Sequence, residues 1–311
     1  MKNYRVGLIG CGGRQNAHVS TFRQIENCEI VAATDWNQSV SEEFAEKHGI
    51  PTTYVSVEEM LQSADLDLVT VVTRPKWMFG PVMEALNSSV KGILMEKPFA
   101  AKIEEAKELE QLSREKKLCL QIGHLERFNP VFTEFQELID RPKFIENIRI
   151  APFPKRGTDV DVILDLMIHD IDIILDIIQA PIQDIQANGV KVITDEIDIA
   201  NARITFKNGC IVNLTSSRIS LKEMRKMRIF QEKSYINIDF LNKSLEEYSL
   251  AENPGNPESD SQLFPYDDSK HRFIKYKKND LSPTNALLEE LKYFISCIQQ
   301  STPPKISGDV A

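Results

Sequence analysis

Asp165 and His169 stand four residues apart in an otherwise apolar run, Ile163-Leu164-Asp165-Leu166-Met167-Ile168-His169. In a helix the two share one face. A carboxylate one turn from an imidazole can raise its basicity and fix its tautomer. Both groups are costly on a buried face unless they are paired or used. A lone histidine there would more often be a satisfied core group, so the pair carries the reading. Its chemistry is proton removal near neutral pH. Asp172, three residues beyond His169, reads as a structural partner. A second constellation is the turn Gly10-Cys11-Gly12-Gly13, followed after a helix-length segment by Asp35. Gly10 allows a tight turn, and Gly12 allows close approach of a pyrophosphate to the backbone. The N–H groups that open the next helix then face the anion.

These residues need elements to position them. Strands are expected at 4–9, 29–34, 66–72, 92–95 and 118–122, and helices at 15–25, 39–48, 57–62, 81–87 and 103–116. Strands alternating with helices predict a parallel sheet with right-handed crossovers, which binds ligands at the carboxyl ends of its strands. Asp35, Thr73-Arg74-Pro75, Glu96-Lys97-Pro98 and Gly123-His124 all fall at such ends. Asp35 can accept hydrogen bonds from an adenosine ribose diol. It favours NAD, because the extra phosphate of NADP would meet its charge; Arg14 and Asn37 beside it could soften that preference. Gln15 replaces the third glycine of G-x-G-x-x-G, so the first helix is expected to sit slightly differently. The cofactor set is therefore Gly10, Gly12, Gly13, Arg14, Gln15, Asp35, Trp36, Thr73, Pro75, Glu96 and Lys97.

The second half alternates differently. Strands at 145–150, 185–192, 199–206, 211–217, 226–230, 235–239 and 244–249 follow one another, which predicts an antiparallel sheet. A loop begins at Asn253-Pro254-Gly255, and a helix at 286–299 closes the chain. The fold class is α/β: an N-terminal Rossmann parallel sheet over 1–122, then a C-terminal α+β domain over 123–311 built on a mainly antiparallel sheet. The closing helix could pack back on the first domain.

Composition narrows the function. The 311 residues carry a net charge of −9 and a pI near 5.3, against a general nucleic-acid footprint. The longest apolar stretch, 160–178, carries Asp161, Asp165, Asp170, Asp172 and Asp176, so no membrane span is expected. The N-terminus has no signal-peptide hydrophobic region, and a cytoplasmic location is the expectation. Five scattered cysteines without metal-ligand spacing argue against zinc and a disulfide framework. Asp165 and His169 alone are too few ligands for a metal.

Gly10-Cys11-Gly12-Gly13 with His18, Glu96-Lys97-Pro98 and Asp165-x-x-x-His169, in this order over nearly the whole chain, resemble the Gfo/Idh/MocA family of nicotinamide-dependent sugar oxidoreductases. The resemblance implies a Rossmann domain followed by a mainly antiparallel domain, with the substrate between them. It implies that Lys97, otherwise a surface lysine after a strand, points at the reacting carbinol, often across a cis peptide to Pro98. An ammonium there would stabilise charge developing on the sugar oxygen. Oxidation requires removal of the hydroxyl proton as hydride leaves carbon; His169 and Lys97 both remain candidates for the base. Asp165 orients the imidazole, the substrate, or both. His124, Arg127 and Asn129 follow the last Rossmann strand; by resemblance they lie beside nicotinamide and substrate, while their bland alternative is a linker that caps the sheet.

A narrower resemblance, to the UDP-N-acetylglucosamine 3-dehydrogenase branch of the family, rests on Gly123-His124-Leu125-Glu126-Arg127-Phe128-Asn129-Pro130, on Leu164 through Asp172, on Asn201-Ala202-Arg203 and on Arg225-Lys226-Met227-Arg228. It implies oxidation of the sugar 3-hydroxyl in a route to the diamino sugar of some lipid A molecules. Phe79 departs from the pattern, since many members carry a histidine after the Thr-x-Pro turn. Lys155-Arg156 and Arg225-Lys226-x-Arg228 read either as solvated surface or as a grip on a nucleotide diphosphate. Arg156 is the better candidate. Competing expectations are a dehydrogenase of a free polyol or inositol, and a non-catalytic cofactor-sensing regulator. The retained Lys97, Asp165 and His169 argue against the regulator. A homodimer or homotetramer through the C-terminal sheet is expected.

Overall fold

The computed structural model describes residues 3–153, 160–252, 261–267, 272–281 and 284–310. The chain forms two compact units, Met1–Leu125 with Asn285–Ala311, and Glu126–Thr284.

In the first unit, β1 (Tyr4–Ile9), α1 (Gln15–Phe22), β2 (Cys28–Thr34), α2 (Gln38–His48), β3 (Thr52–Tyr54), α3 (Val57–Ser63), β4 (Leu68–Val71), α4 (Phe79–Leu86), β5 (Gly92–Glu96), α5 (Ile103–Lys116) and β6 (Cys119–Gly123) follow one another. The strands form one sheet in the order β3-β2-β1-β4-β5-β6, parallel throughout. β4 and β5 are buried at every position, which is why they read as nearly continuous apolar runs, interrupted by Thr70 and ended by Glu96. β3 has three residues at the sheet's edge and carries too short a pattern to be legible in the sequence. α1 ends at Phe22, earlier than the expected 25. The C-terminal helix Ala286–Gln300 also belongs to this unit. Its Leu291, Phe294 and Ile295 are buried in the same core as Val6, Leu8, Val19 and Phe22.

The second unit runs α6 (Pro130–Gln136), β7 (Phe144–Ile150), a π-helical turn (Ile163–Met167), α7 (Ile168–Ile177), β8 (Ile182–Val190), β9 (Ile199–Phe206), β10 (Ile211–Ser217), β11 (Met224–Gln231), β12 (Ser234–Asp239), β13 (Ser244–Glu252), β14 (Ser261–Asp267) and β15 (Arg272–Asp280). The nine strands lie in the order β14-β15-β13-β12-β11-β7-β10-β9-β8. All pairs are antiparallel except β7 with β10. That parallel pair arises because the chain leaves β7, forms α7, and re-enters at β8, three positions away, so that β9 and β10 fill the gap back to β7. The segment read as the start of a loop falls between β13 and β14; its residues 253–260 lie outside the described set.

Burial alternates along β7, so Ile145, Asn147 and Arg149 point inward and Phe144 outward. The inner face holds Ile145, Val212, Leu214, Met227, Ile229, Ile236 and Ile238, covered by Phe132, Phe135, Met167, Ile173 and Ile174. On the other face, Phe144, Phe230, Tyr235, Tyr248 and Tyr276 stand directly opposite one another across five strands. Their ring centroids are 4.8 to 5.9 Å apart.

Candidate active site

The glycine turn follows β1. Gly10 has φ +89°, and a Cβ there would stand 2.2 Å from the Val72 carbonyl oxygen, so both its dihedral and its space require glycine. Gly12 faces open space, with nothing within 4 Å of an added Cβ. Gly12, Gly13 and Arg14 are exposed at the start of α1. This is the open backbone cradle that a pyrophosphate needs, and the residues fit a dinucleotide. Asp35 at the end of β2 is half-buried. Its Oδ2 accepts from the Cys11 N–H at 2.8 Å and its Oδ1 from the Asn37 N–H at 3.1 Å. The carboxylate thus braces the glycine turn as well as standing where a ribose would be read. Burial and the Asp35 charge push the Cys11 thiol up to about 12, so it stays protonated.

Gln15 is fully buried, and its Nε2 donates to Thr70 Oγ1 on β4 at 2.8 Å. The residue replacing the third glycine therefore reaches a strand hydroxyl, a contact no glycine could make. Trp36 is 81% exposed and lies 6.0 Å from the half-exposed Trp77. Arg74 stands over the Trp77 ring. Thr73 follows β4, and Pro75 opens the short 3-10 turn Pro75–Trp77. Together Trp36, Trp77 and Arg74 form an aromatic and cationic surface beyond β2 and β4, a suitable face for a purine. Trp77 was not singled out in the sequence, and Arg74 only as part of the Thr73-Arg74-Pro75 strand end; a tryptophan two residues after that proline was the available signal.

Glu96 ends β5 and is buried. Its Oε1 accepts from Arg14 Nε at 2.6 Å and from His18 Nε2 at 3.1 Å. Burial favours the neutral acid, but His18 and Arg14 outweigh it and hold the carboxyl down at about 2. His18 is thus a buried partner of Glu96. Lys97 is half-buried immediately after it, and the Lys97–Pro98 peptide is cis. His124 is buried just past β6.

In the second unit, Asp165 sits in the π-helical turn and His169 in the first turn of α7, so the run 163–172 is not one uniform α-helix. Both side chains are half-buried. π-turns are frequent at functional sites because they displace a side chain from the regular helical face. Arg127 donates to both oxygens of Asp172 at 2.7 Å and also pairs with Asp176. Asn129 caps α6 through the Val131 N–H and donates to Glu126 at 3.0 Å. Both side chains offered as ligand contacts are therefore held within the unit's own network. The Arg225 cluster is likewise paired: Arg225 with Glu223 and Glu126, Lys226 with Asp239, Arg228 with Glu146. That pairing matches the solvated-surface reading better than a diphosphate grip. Lys155 and Arg156 lie outside the described residues. Among the described residues no group of three His, Cys, Asp or Glu side chains could hold a metal, and no helix is long and apolar enough to cross a membrane.

Comparison with known proteins places these features. Residues 4–124 match the model of the oxidoreductase family with an NAD-binding Rossmann fold, and residues 151–237 match the GFO/IDH/MocA C-terminal domain. UDP-N-acetylglucosamine 3-dehydrogenase of Acidithiobacillus ferrooxidans is 32% identical over 99% of this chain and 93% of its own. A solved structure of that enzyme superposes with a TM-score of 0.86 over 100% of this chain and 93% of the other. Myo-inositol 2-dehydrogenase of Thermotoga maritima is 22% identical over 98% of this chain and 91% of its own. The scyllo-inositol dehydrogenase of Lactobacillus casei, solved with NAD(H) and scyllo-inositol, is 18% identical and shares the fold at a TM-score of 0.77, over 99% of this chain and 93% of that one. With an open glycine cradle, an acidic β2 terminus and these matches over both units, the chain belongs to the Gfo/Idh/MocA family of NAD-binding oxidoreductases.

Proposed function

We propose that this dehydrogenase oxidises the 3-hydroxyl of UDP-N-acetylglucosamine with NAD, in a cytoplasmic route to a diamino sugar of lipid A. The observation that carries the reading is the 32% identity, over 99% of the chain, to UDP-N-acetylglucosamine 3-dehydrogenase. Gly10, Gly12, Gly13, Arg14, Asp35 and Trp36 would hold the dinucleotide, with Thr73, Pro75, Glu96 and Lys97 at the neighbouring strand ends. When bound, the nicotinamide supplies the acceptor for the hydride leaving the sugar carbon. His169 takes the hydroxyl proton. Lys97 donates a hydrogen bond to the same oxygen and stabilises its developing charge. Asp165 orients the imidazole. Arg14, displaced toward a pyrophosphate, would leave Glu96 to His18.

The test is incubation with NAD and a panel of UDP-sugars, myo-inositol and scyllo-inositol, following absorbance of the reduced cofactor. Reduction with UDP-N-acetylglucosamine, and a 3-keto product, is expected. Lys97→Met should lower kcat by about 10²-fold, the scale of positioned acid–base catalysis, while NAD still binds. Turnover of an inositol alone would move the assignment to the polyol dehydrogenases.

A further inference from the structure

Asp170 follows His169 directly and is 1% exposed. Arg149, from the inward row of β7 and 2% exposed, grips it with two nitrogens: Nε at 3.0 and 2.9 Å from the two carboxylate oxygens, Nη2 at 2.8 Å from Oδ1. Its remaining nitrogen, Nη1, donates to Glu126 Oε1 at 3.1 Å. That oxygen also accepts from Arg225 at 3.4 Å, and Glu126 Oε2 accepts from Asn129. Arg149 and Arg225 with Asp170 and Glu126 thus make one connected cluster beside α7, which Arg225 extends to Glu223. Burial works against the Arg149 charge, but Asp170 and Glu126 outweigh it and raise its pKa.

Stability alone does not account for this cluster. Ile173 and Ile174 are fully buried and already fix α7 on the sheet. A buried ion pair carries a large desolvation cost, and apolar side chains of similar volume often hold a fold equally well. What an ion pair adds is direction, because a planar guanidinium fork meets a carboxylate in one geometry. Direction matters here for two reasons. The π-helical turn Ile163–Met167 joins α7 at Ile168, and a π-to-α junction can shift by one residue. Such a slip rotates the following side chains by about 100°. The apolar sequence would not oppose it, since isoleucine recurs at 171, 173, 174, 177 and 178, and one isoleucine can take the place of the next.

We propose that Arg149 and Asp170 are positioning residues that lock the register of the π-to-α junction and so aim Asp165 and His169. Arg127, on Asp172 and Asp176, grips the same helix further along. The proposal rests on the reading of His169 as the base. It is tested by replacing both partners with apolar residues, Arg149→Met with Asp170→Leu, which removes the charged fork and its direction. The expected result is a thermal midpoint near the parent's, an unchanged KM for NAD, and a kcat lower by about 10- to 100-fold, the scale of a ~1 Å misplacement. A loss of stability matched by loss of NAD binding, with kcat per folded molecule retained, would mark a purely structural pair and overturn the proposal. Asp170→Asn, which keeps shape and one acceptor, carries the test should the double variant not fold. It too should lose kcat while KM for NAD holds, and a parental kcat overturns the register lock. His169→Asn run in parallel separates the two ideas. If it is inactive while the double variant turns over normally, only the register lock fails. If His169→Asn itself turns over normally, the reading of His169 fails and takes the proposal with it.

Discussion

At the scale of single residues, Asp35 has two roles that pull on one carboxylate. It stands where the ribose diol of NAD is read, and it also braces the turn through the Cys11 and Asn37 N–H groups. Asp35→Ser should therefore do more than remove a repulsion toward NADP. The ratio of Kd for NADP to Kd for NAD is expected to fall, and NAD affinity to weaken, by about 1–3 kcal/mol for losing a charged acceptor. Titration of both cofactors into both proteins checks this, and an unchanged ratio would remove Asp35 from cofactor selection. Arg127 and Asn129 teach the opposite lesson. Polar side chains next to a strand end look like ligand contacts in a sequence, yet here they tie α7 and α6 to their own unit. Nothing in their spacing distinguishes the two fates; only the partner, 45 residues away in the case of Asp172, does.

At the scale of elements, the C-terminal helix contributes Glu290 to the interior of the first unit, 1% exposed. Burial first, and then the charge of Glu96, push its carboxyl well above the usual range. The stabilising contribution of such a group is fully present below its unfolded pKa, about 4.3, and is lost as pH rises toward the folded value. Glu290→Gln keeps the shape and abolishes that loss. The variant should be more stable than the parent at pH 7 to 8, read as a higher Tm. The gain should shrink toward zero near pH 4. Thermal melts across that interval check it, and a gain independent of pH would mean that Glu290 is ionised in the folded protein. Glu96 has the reverse sign. Held at about 2, it stabilises above the unfolded pKa, and that support disappears as pH falls from about 4.3 toward 2.

At the scale of the whole molecule, the outer face of the nine-stranded sheet remains to be explained. Its aromatic row, Phe144 through Tyr276, lies beside a row in which Glu146 pairs with Arg228 and Asn237 with Glu246. An aromatic stripe edged by charges of both signs suits association with a second copy about a two-fold axis, since the same patch then supplies both halves of each pair. Tyr248 stands within this row, directly between Tyr235 and Tyr276. Tyr248→Asp would place a charge among four rings, and it is expected to convert a dimer or tetramer to a smaller species in light scattering after size exclusion. An unchanged mass, with the fold intact by circular dichroism, would exclude this face as the contact.

Much of this was determined by the sequence itself, because the deciding physics is local. Alternating strands and helices, the positive-φ turn at Gly10, the acidic end of β2 and the Lys97-Pro98 step are all set by residues a few positions apart. The Asp165 and His169 pair is legible for the same reason. Tertiary structure decided what depends on distant partners. β3 and β14 are edge strands with weak patterns, and only pairing with β2 and β15 makes them strands. The parallel pairing of β7 with β10 is invisible in two similar alternating runs. The π-helical turn under Asp165 cannot be read from an apolar sequence that suits α equally well. Arg149 has no neighbour in the sequence that marks its role. It becomes a buried clamp only because β7 turns its odd-numbered side chains inward, onto the one carboxylate next to His169.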